Sequence, residues 1–164
     1  AYSLLGQAYL AVPFFLLNYI VFSYTTNTYH IAFILAIFVF IWINDSFAYL
    51  SGVTLGKHKM FERISPKKSW EGFAGGALFT LGPSIAFSYF FPELSLFAWL
   101  GFAAVVITFG TFGDLIESLI KRTLNIKDSG TVLPGHGGIL DRFDSMIGAI
   151  PALFIYIQLI NFFN

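Results

Sequence analysis

Gly113–Ser145 reads GDLIESLIKRTLNIKDSGTVLPGHGGILDRFDS, and it decides the fold because of what lies on either side of it. Before it, an apolar run from about Leu96 to Leu115 meets no charge until Asp114; after it, a run from about Ile147 to Phe163 meets none. Each is close to the roughly 20 residues that a helix needs to cross a hydrocarbon core. A hydrated segment between two such runs makes a helix–loop–helix whose polar ends lie on one side of a bilayer. The stretch holds four of the nine Lys/Arg, five of the nine Asp/Glu and one of the three His. Its order is acids (Asp114, Glu117), bases (Lys121, Arg122, Lys127), Pro134-Gly135-His136-Gly137-Gly138, then Asp141-Arg142 and Asp144. That order suits a metal-assisted phosphate site: carboxylates hold Mg²⁺, cations face phosphate oxygens, and glycine lets backbone N–H groups approach closely.

Working outward, the chain is 57% hydrophobic and only 11% charged, against about 25% charged in soluble domains. Residues 3–24 are uncharged and contain Pro13, which helices in lipid tolerate as a kink. After the polar turn Thr25–Thr28, a second apolar run from Tyr29 to Trp42 continues through Ile43–Leu50, with Asp45 near its end. SGVTLGKHKMFERISPKKSW, residues 51–70, carries five Lys/Arg and reads as a basic loop. A third span covers about Gly72 to Phe91, with Gly75-Gly76 suited to close helix packing, and Pro92–Ser95 forms a turn. The expectation is an all-α integral membrane protein of about five transmembrane helices with its polar catalytic loops on the cytoplasmic side. Residues 1–50 hold two helices, 51–70 the basic loop, and 71–164 three helices with the loop 113–145, all in one membrane domain.

All nine Lys/Arg fall between spans two and three or between spans four and five, and five spans put those regions on the same side. By the positive-inside rule that side is cytoplasmic. The acids Asp45, Asp114, Asp141 and Asp144 are then expected at span ends on that side, where lipid phosphates lie, and acids there mark function by default. The chain has no cysteine, so thiolate chemistry and disulfides are excluded. It begins with Ala1 and shows no signal-peptide pattern, and is expected to lack earlier helices. Basic residues confined to two membrane-side loops give no nucleic-acid role.

Each cluster has a bland alternative. Asp114 and Asp141, on opposite arms of the helix–loop–helix, can converge on a metal or simply be solvated helix ends. Asp141 and Asp144 share a helix face, and Glu117 with Lys121 forms a favourable i,i+4 pair that serves equally as a surface salt bridge. Lys121, Arg122, Lys127 and Arg142 bind phosphates or merely mark the cytoplasmic side. His136, set among glycines, points to a shaped loop at a site; His30 and His58 lack such company. Lys57, Ser65, Lys67, Lys68, Ser69 and Glu71, with the start of span three, contact a polyphosphate or attract anionic lipid.

Ser118-x-x-Lys121-Arg122-x4-Lys127-Asp128-x-Gly130-x3-Pro134-x-His136-Gly137-Gly138-x-x-Asp141-Arg142-x-Asp144 resembles the signature of the phosphatidate cytidylyltransferases. Asp45-Ser46-x-Ala48-Tyr49, Gly56–Lys59 and Ser65–Gly72 look like the same family, in the same order. The resemblance covers Asn44 to Ser145 in detail and corresponds to the family's C-terminal catalytic part. Phe47 stands where the family commonly has Gly, and Ser69 where Thr is more usual; the first bears on how closely substrate approaches the backbone near Asp45.

The resemblance implies transfer of the cytidylyl group of CTP to phosphatidate, giving CDP-diacylglycerol and pyrophosphate in phospholipid biosynthesis. It also implies Mg²⁺, with a monovalent cation as an optional second ion, and a homodimer in the bacterial inner membrane. Carried over by position, Asp114 and Asp141 are the metal pair, and Asp114, Asp141, Lys121, Arg122, His136 and Arg142 the catalytic set. Asp45, Lys57, Ser65, Lys67, Lys68, Ser69, Glu71, Lys127, Asp128, Gly137, Gly138 and Asp144 are the substrate-binding set. Three alternatives stand beside this reading: the same chemistry on another lipid phosphate, a fragment without activity, and a membrane transporter segment, which would place its acids near mid-bilayer.

Overall fold

The computed structural model describes residues 2–23, 28–126, 129–130, 138 and 140–163. Its elements are α1 (Tyr2–Val21), β1 (Phe22–Ser23), β2 (Thr28–Tyr29), α2 (Ile31–Leu55), β3 (Lys59–Phe61), β4 (Ser65–Ser69), α3 (Trp70–Phe90), α4 (Leu96–Thr123), the 3-10 turn Leu140–Arg142 and α5 (Asp144–Phe163). Among the described residues, α2, α3, α4 and α5 are long and apolar enough to cross a membrane, and α1 is apolar over the shorter stretch Gly6–Val21. The fold class is all-α integral membrane, as the apolar runs require.

Two features of the helices matter for the site. Helix α2 does not stop near Leu50, where the sequence reading ended it, but continues to Leu55, while α4 runs on past its apolar part as the continuation Glu117–Arg122 allows, one unbroken helix of 28 residues through Thr123. Asp45 and Asp114 therefore lie inside helices rather than at their ends, about 13–15 Å before the C-termini at 1.5 Å per residue. The physical reason is that nothing in Gly52–Leu55 or Glu117–Thr123 breaks a helix. A helix keeps its backbone hydrogen bonds beyond the apolar run, so hydropathy marks where that run ends and not where the helix does. The basic loop also has structure: β3 and β4 pair antiparallel, Lys59 opposite Ser69 and Phe61 opposite Ser65, with an irregularity between.

The helices pack mainly as α2 on α3 and α4 on α5, with α3 against α4 and α1 against α5. Small residues allow the close approaches. A Cβ on Gly76 would lie 2.6 Å from Asn44 Oδ1, and one on Gly113 would lie 2.8 Å from Gly148 Cα, so larger side chains there would push the pairs apart. Polar end caps set the starts: Ser69 Oγ accepts from Gly72 N at 3.1 Å and Ser95 Oγ from Ala98 N at 3.3 Å, satisfying N–H groups that a helix start leaves open. The core is aromatic. Phe33, Phe40, Trp99 and Phe102 are buried in mutual ring contact, and Trp99 Nε1 donates to Phe91 O at 3.0 Å. This core lies toward the end opposite the charged loops and leaves the polar end to the site.

Candidate active site

At the basic end, α2, the hairpin, α3, α4 and the start of α5 enclose a cavity of about 370 Å³. Its walls bring together Asp45 from α2, Ser65, Lys67, Lys68 and Ser69 from β4, Asp114 from α4, Asp141 from the 3-10 turn and Asp144 from α5. The two sequence clusters thus converge on one space. The direct link is Lys68 Nζ to Asp114 Oδ2 at 2.6 Å, and the same ammonium reaches Thr111 O at 3.4 Å. Asp114 Oδ1 accepts from Ser118 Oγ at 3.3 Å, one turn later in α4.

Asp141 is a hydrogen-bond hub. Its Oδ1 takes Lys121 Nζ at 2.7 Å, and its Oδ2 takes Ser129 N at 3.0 Å, Ser129 Oγ at 2.9 Å and Gly138 N at 2.8 Å. One carboxylate therefore ties the end of α4 to two points of the signature loop. Burial pushes the Asp141 carboxyl up, but the Lys121 ammonium and the donors on Ser129 and Gly138 outweigh it and hold the group below the ordinary carboxylate range. Asp45 is less committed, whereas Asp144 also lies against the Glu117 carboxyl. Asp45 Oδ1 has a contact from Asn44 Nδ2 at 3.5 Å, and Asp144 Oδ1 accepts from Ser145 N at 2.6 Å.

Other expected residues fall elsewhere. Ser69 lines the cavity, but its hydroxyl caps α3. Glu71 lies outside the lining and fixes the hairpin instead: it accepts from Lys57 N and His58 N at 3.2 Å, and His58 Nδ1 lies 2.6 Å from it. Lys57 takes part through its backbone while its side chain is exposed. Arg122 lines a different groove, and Arg142 sits exposed in the 3-10 turn. Lys127, Asp128, His136 and Gly137 lie outside the described residues. Phe47 turns from the cavity and stacks on Phe79, ring centroids 4.0 Å apart, so its bulk is absorbed between α2 and α3.

Sequence reasoning left one residue's setting open and passed over another. Glu117 is 2% exposed; Lys121 Nζ lies 3.3 Å from its Oε2, yet among the described residues neither oxygen accepts a hydrogen bond. Its spacing from Lys121 was visible, but an i,i+4 pair looks the same on a wet surface as in a buried wedge. Ser129 contributes its donors across 12 positions of chain, a contact for which the sequence carries no signal.

The carboxylates are hard oxygen donors of the kind Mg²⁺ takes. Among the described residues no three acidic or histidine side chains converge closely enough to cage an ion by themselves. Mg²⁺ does not require that, since it commonly binds through one or two carboxylates plus substrate phosphates. Asp114, flanked in the cavity by Asp45 and Asp144, takes one donor on each oxygen, keeps lone pairs open and fits such a role. Asp141, whose oxygens already take Lys121, Ser129 and Gly138, is filled as it stands.

A family model described as the cytidylyltransferase family matches residues 1–160. The chain is 42% identical over 154 residues to a phosphatidate cytidylyltransferase of Staphylococcus aureus strain COL. It is 41% identical over 155 residues to the protein of that name in Staphylococcus haemolyticus, and 39% over 155 residues to that of Staphylococcus epidermidis strain RP62A. Each match covers 93% of this chain and 57% of the relative, so the chain spans little more than half the length of these proteins.

Proposed function

Because this chain belongs to the cytidylyltransferase family, we propose that it transfers the cytidylyl group of CTP to phosphatidate, releasing pyrophosphate and forming CDP-diacylglycerol. The observation that carries the reading is the Lys68–Asp114 contact, which brings the hairpin's basic residues and the signature helix's acid to one cavity. A polyphosphate needs cations, and its metal needs carboxylates; the cavity offers both within one wall.

A phosphatidate oxygen attacks the α-phosphorus of CTP, a new P–O bond forms, and the bond to the bridging oxygen of the β-phosphate breaks with its electron pair leaving on pyrophosphate. A phosphate monoester has its second pKa at about 6, so the nucleophile is largely ionised at neutral pH and no general base is needed. The task left to the protein is to bring polyanions together and hold them. Lys67 and Lys68 face the cavity for that purpose, and Asp141, joined by Lys121, holds Ser129 and Gly138. Asp114, with Asp45 and Asp144 beside it, would hold Mg²⁺. When bound, the ion supplies charge neutralisation and Lewis acidity at phosphate oxygens.

We extend the proposal to orientation and assembly: the basic end faces the cytoplasm, supported by the eight described Lys/Arg at that end, in the inner membrane of a bacterium and as a homodimer. The test is pyrophosphate release by the purified protein in detergent with CTP, Mg²⁺ and phosphatidate. Release only when all three are present supports the proposal; release without phosphatidate, or with another lipid phosphate in its place, overturns it.

A further inference from the structure

Lys121 and Arg122 adjoin in sequence but serve different spaces, because successive residues of a helix project about 100° apart. Lys121 turns to Glu117 and Asp141. Arg122 lines a separate groove of about 590 Å³ between the end of α4 and the tip of the β3–β4 hairpin. Leu119 and Arg122 form one wall, Phe61, Arg63 and Ile64 the other, and Glu62 stands at the tip. None of these residues lines the acid cavity. Among the described residues neither the Arg63 nor the Arg122 guanidinium has an ion-pair or hydrogen-bond partner. Phe61 and Leu119 are each 44% exposed, an apolar wall beside two guanidinium groups.

We propose that this groove docks one anionic phospholipid molecule, its phosphate between Arg63 and Arg122 and an acyl chain along Phe61, Ile64 and Leu119. Guanidinium groups match phosphate oxygens in paired, planar contacts. The apolar wall selects a lipid over a soluble phosphate, and Glu62 disfavours ions with more negative charge than one headgroup carries. The groove lies at the end of the molecule where the described Lys/Arg gather. Neither the geometry nor the test below depends on the cytidylyl-transfer reading.

The purified chain is placed in phosphatidylcholine nanodiscs containing a small fraction of phosphatidylglycerol, without CTP, and the lipid it retains is counted by native mass spectrometry. The expected result is one phosphatidylglycerol retained in preference to phosphatidylcholine. Arg63→Gln and Arg122→Gln each lower that retention about tenfold, the loss of a charge-assisted contact. Lys59→Gln, which removes the same charge from the same hairpin outside the groove, lowers it by about twofold or less, as diffuse screened attraction would. An equal loss in Lys59→Gln would reduce the site to diffuse attraction and overturn the proposal. So would equal retention of phosphatidylcholine, or displacement of the lipid by millimolar inorganic phosphate.

Discussion

The two helical hairpins that meet at the site, α2–α3 and α4–α5, solve one problem in different ways. Each must carry a polar connector at the membrane end, and each organises it with a single carboxylate that accepts backbone N–H groups. Glu71 does so for the β3–β4 hairpin, taking Lys57 N and His58 N; Asp141 does so for the signature loop, taking Ser129 N and Gly138 N. The difference lies in the side chain that joins each carboxylate. Glu71 is joined by the exposed ring of His58, outside the cavity, whereas Asp141 is joined by Lys121, which is also beside the buried Glu117. The first connector is closed on itself and frees Lys68 to reach across to Asp114. The second is tied into the helix core. An acid at the rim props a scaffold; an acid at the cavity couples loop shape to the site.

If that contrast is right, Asp141→Asn has the largest effect. It keeps the shape of the side chain but weakens the Lys121 contact, and kcat should fall by about 10²–10³ or more, the range for losing one preorganised electrostatic group. The Mg²⁺ concentration for half-maximal rate should change little, because Asp141 acts through the loop; a steep rise in that requirement would instead make it a metal ligand. Asp114→Asn comes next, with the opposite signature: a kcat/KM loss of about 10² that higher Mg²⁺ partly restores. Lys68→Met should raise KM for CTP more than it lowers kcat, by about tenfold, the value of one charged contact. Glu71→Gln should cost less than about fivefold in kcat/KM, as exposed contacts do, and a loss as large as that of Asp141→Asn would erase the distinction between the connectors.

The smallest effect is in pH. The Asp141 carboxyl is held below its ordinary value, so its contribution to stability is complete above the unfolded pKa, about 3.9, and is lost as pH falls through the lower folded value. The difference in Tm between wild type and Asp141→Asn should therefore be flat from neutral pH down to about pH 5 and close only at more acidic pH. A difference that closes near pH 6–7 would show that another group carries it.

Much of the site was legible because its chemistry is written in residue type. The acids and bases of Asp114–Asp144 and the basic run before α3 stand out against apolar flanks, and their order was enough to point to a phosphate site. What was not legible is direction. Lys121 and Arg122 were read alike, yet one faces Asp141 and the other an outer groove. Asp114 and Asp141 were read as a pair, yet Lys68 engages the first while Lys121 and the loop fill the second. Glu117 was read as half of a surface bridge, yet it is buried.

The sequence by itself determined that the chain is a helical membrane protein with its Lys and Arg residues gathered on one side, because the bilayer imposes length and hydropathy on each span independently of the others. It also determined the chemical class of the site, since only certain side chains hold phosphate and metal. Only the tertiary structure decided which acid meets which lysine, how far inside their helices Asp45 and Asp114 sit, and that Ser129 closes on Asp141. Those are contacts between segments far apart in the chain, set by how helices rotate and approach through glycine and by where a polar helix end stops. No local pattern encodes them.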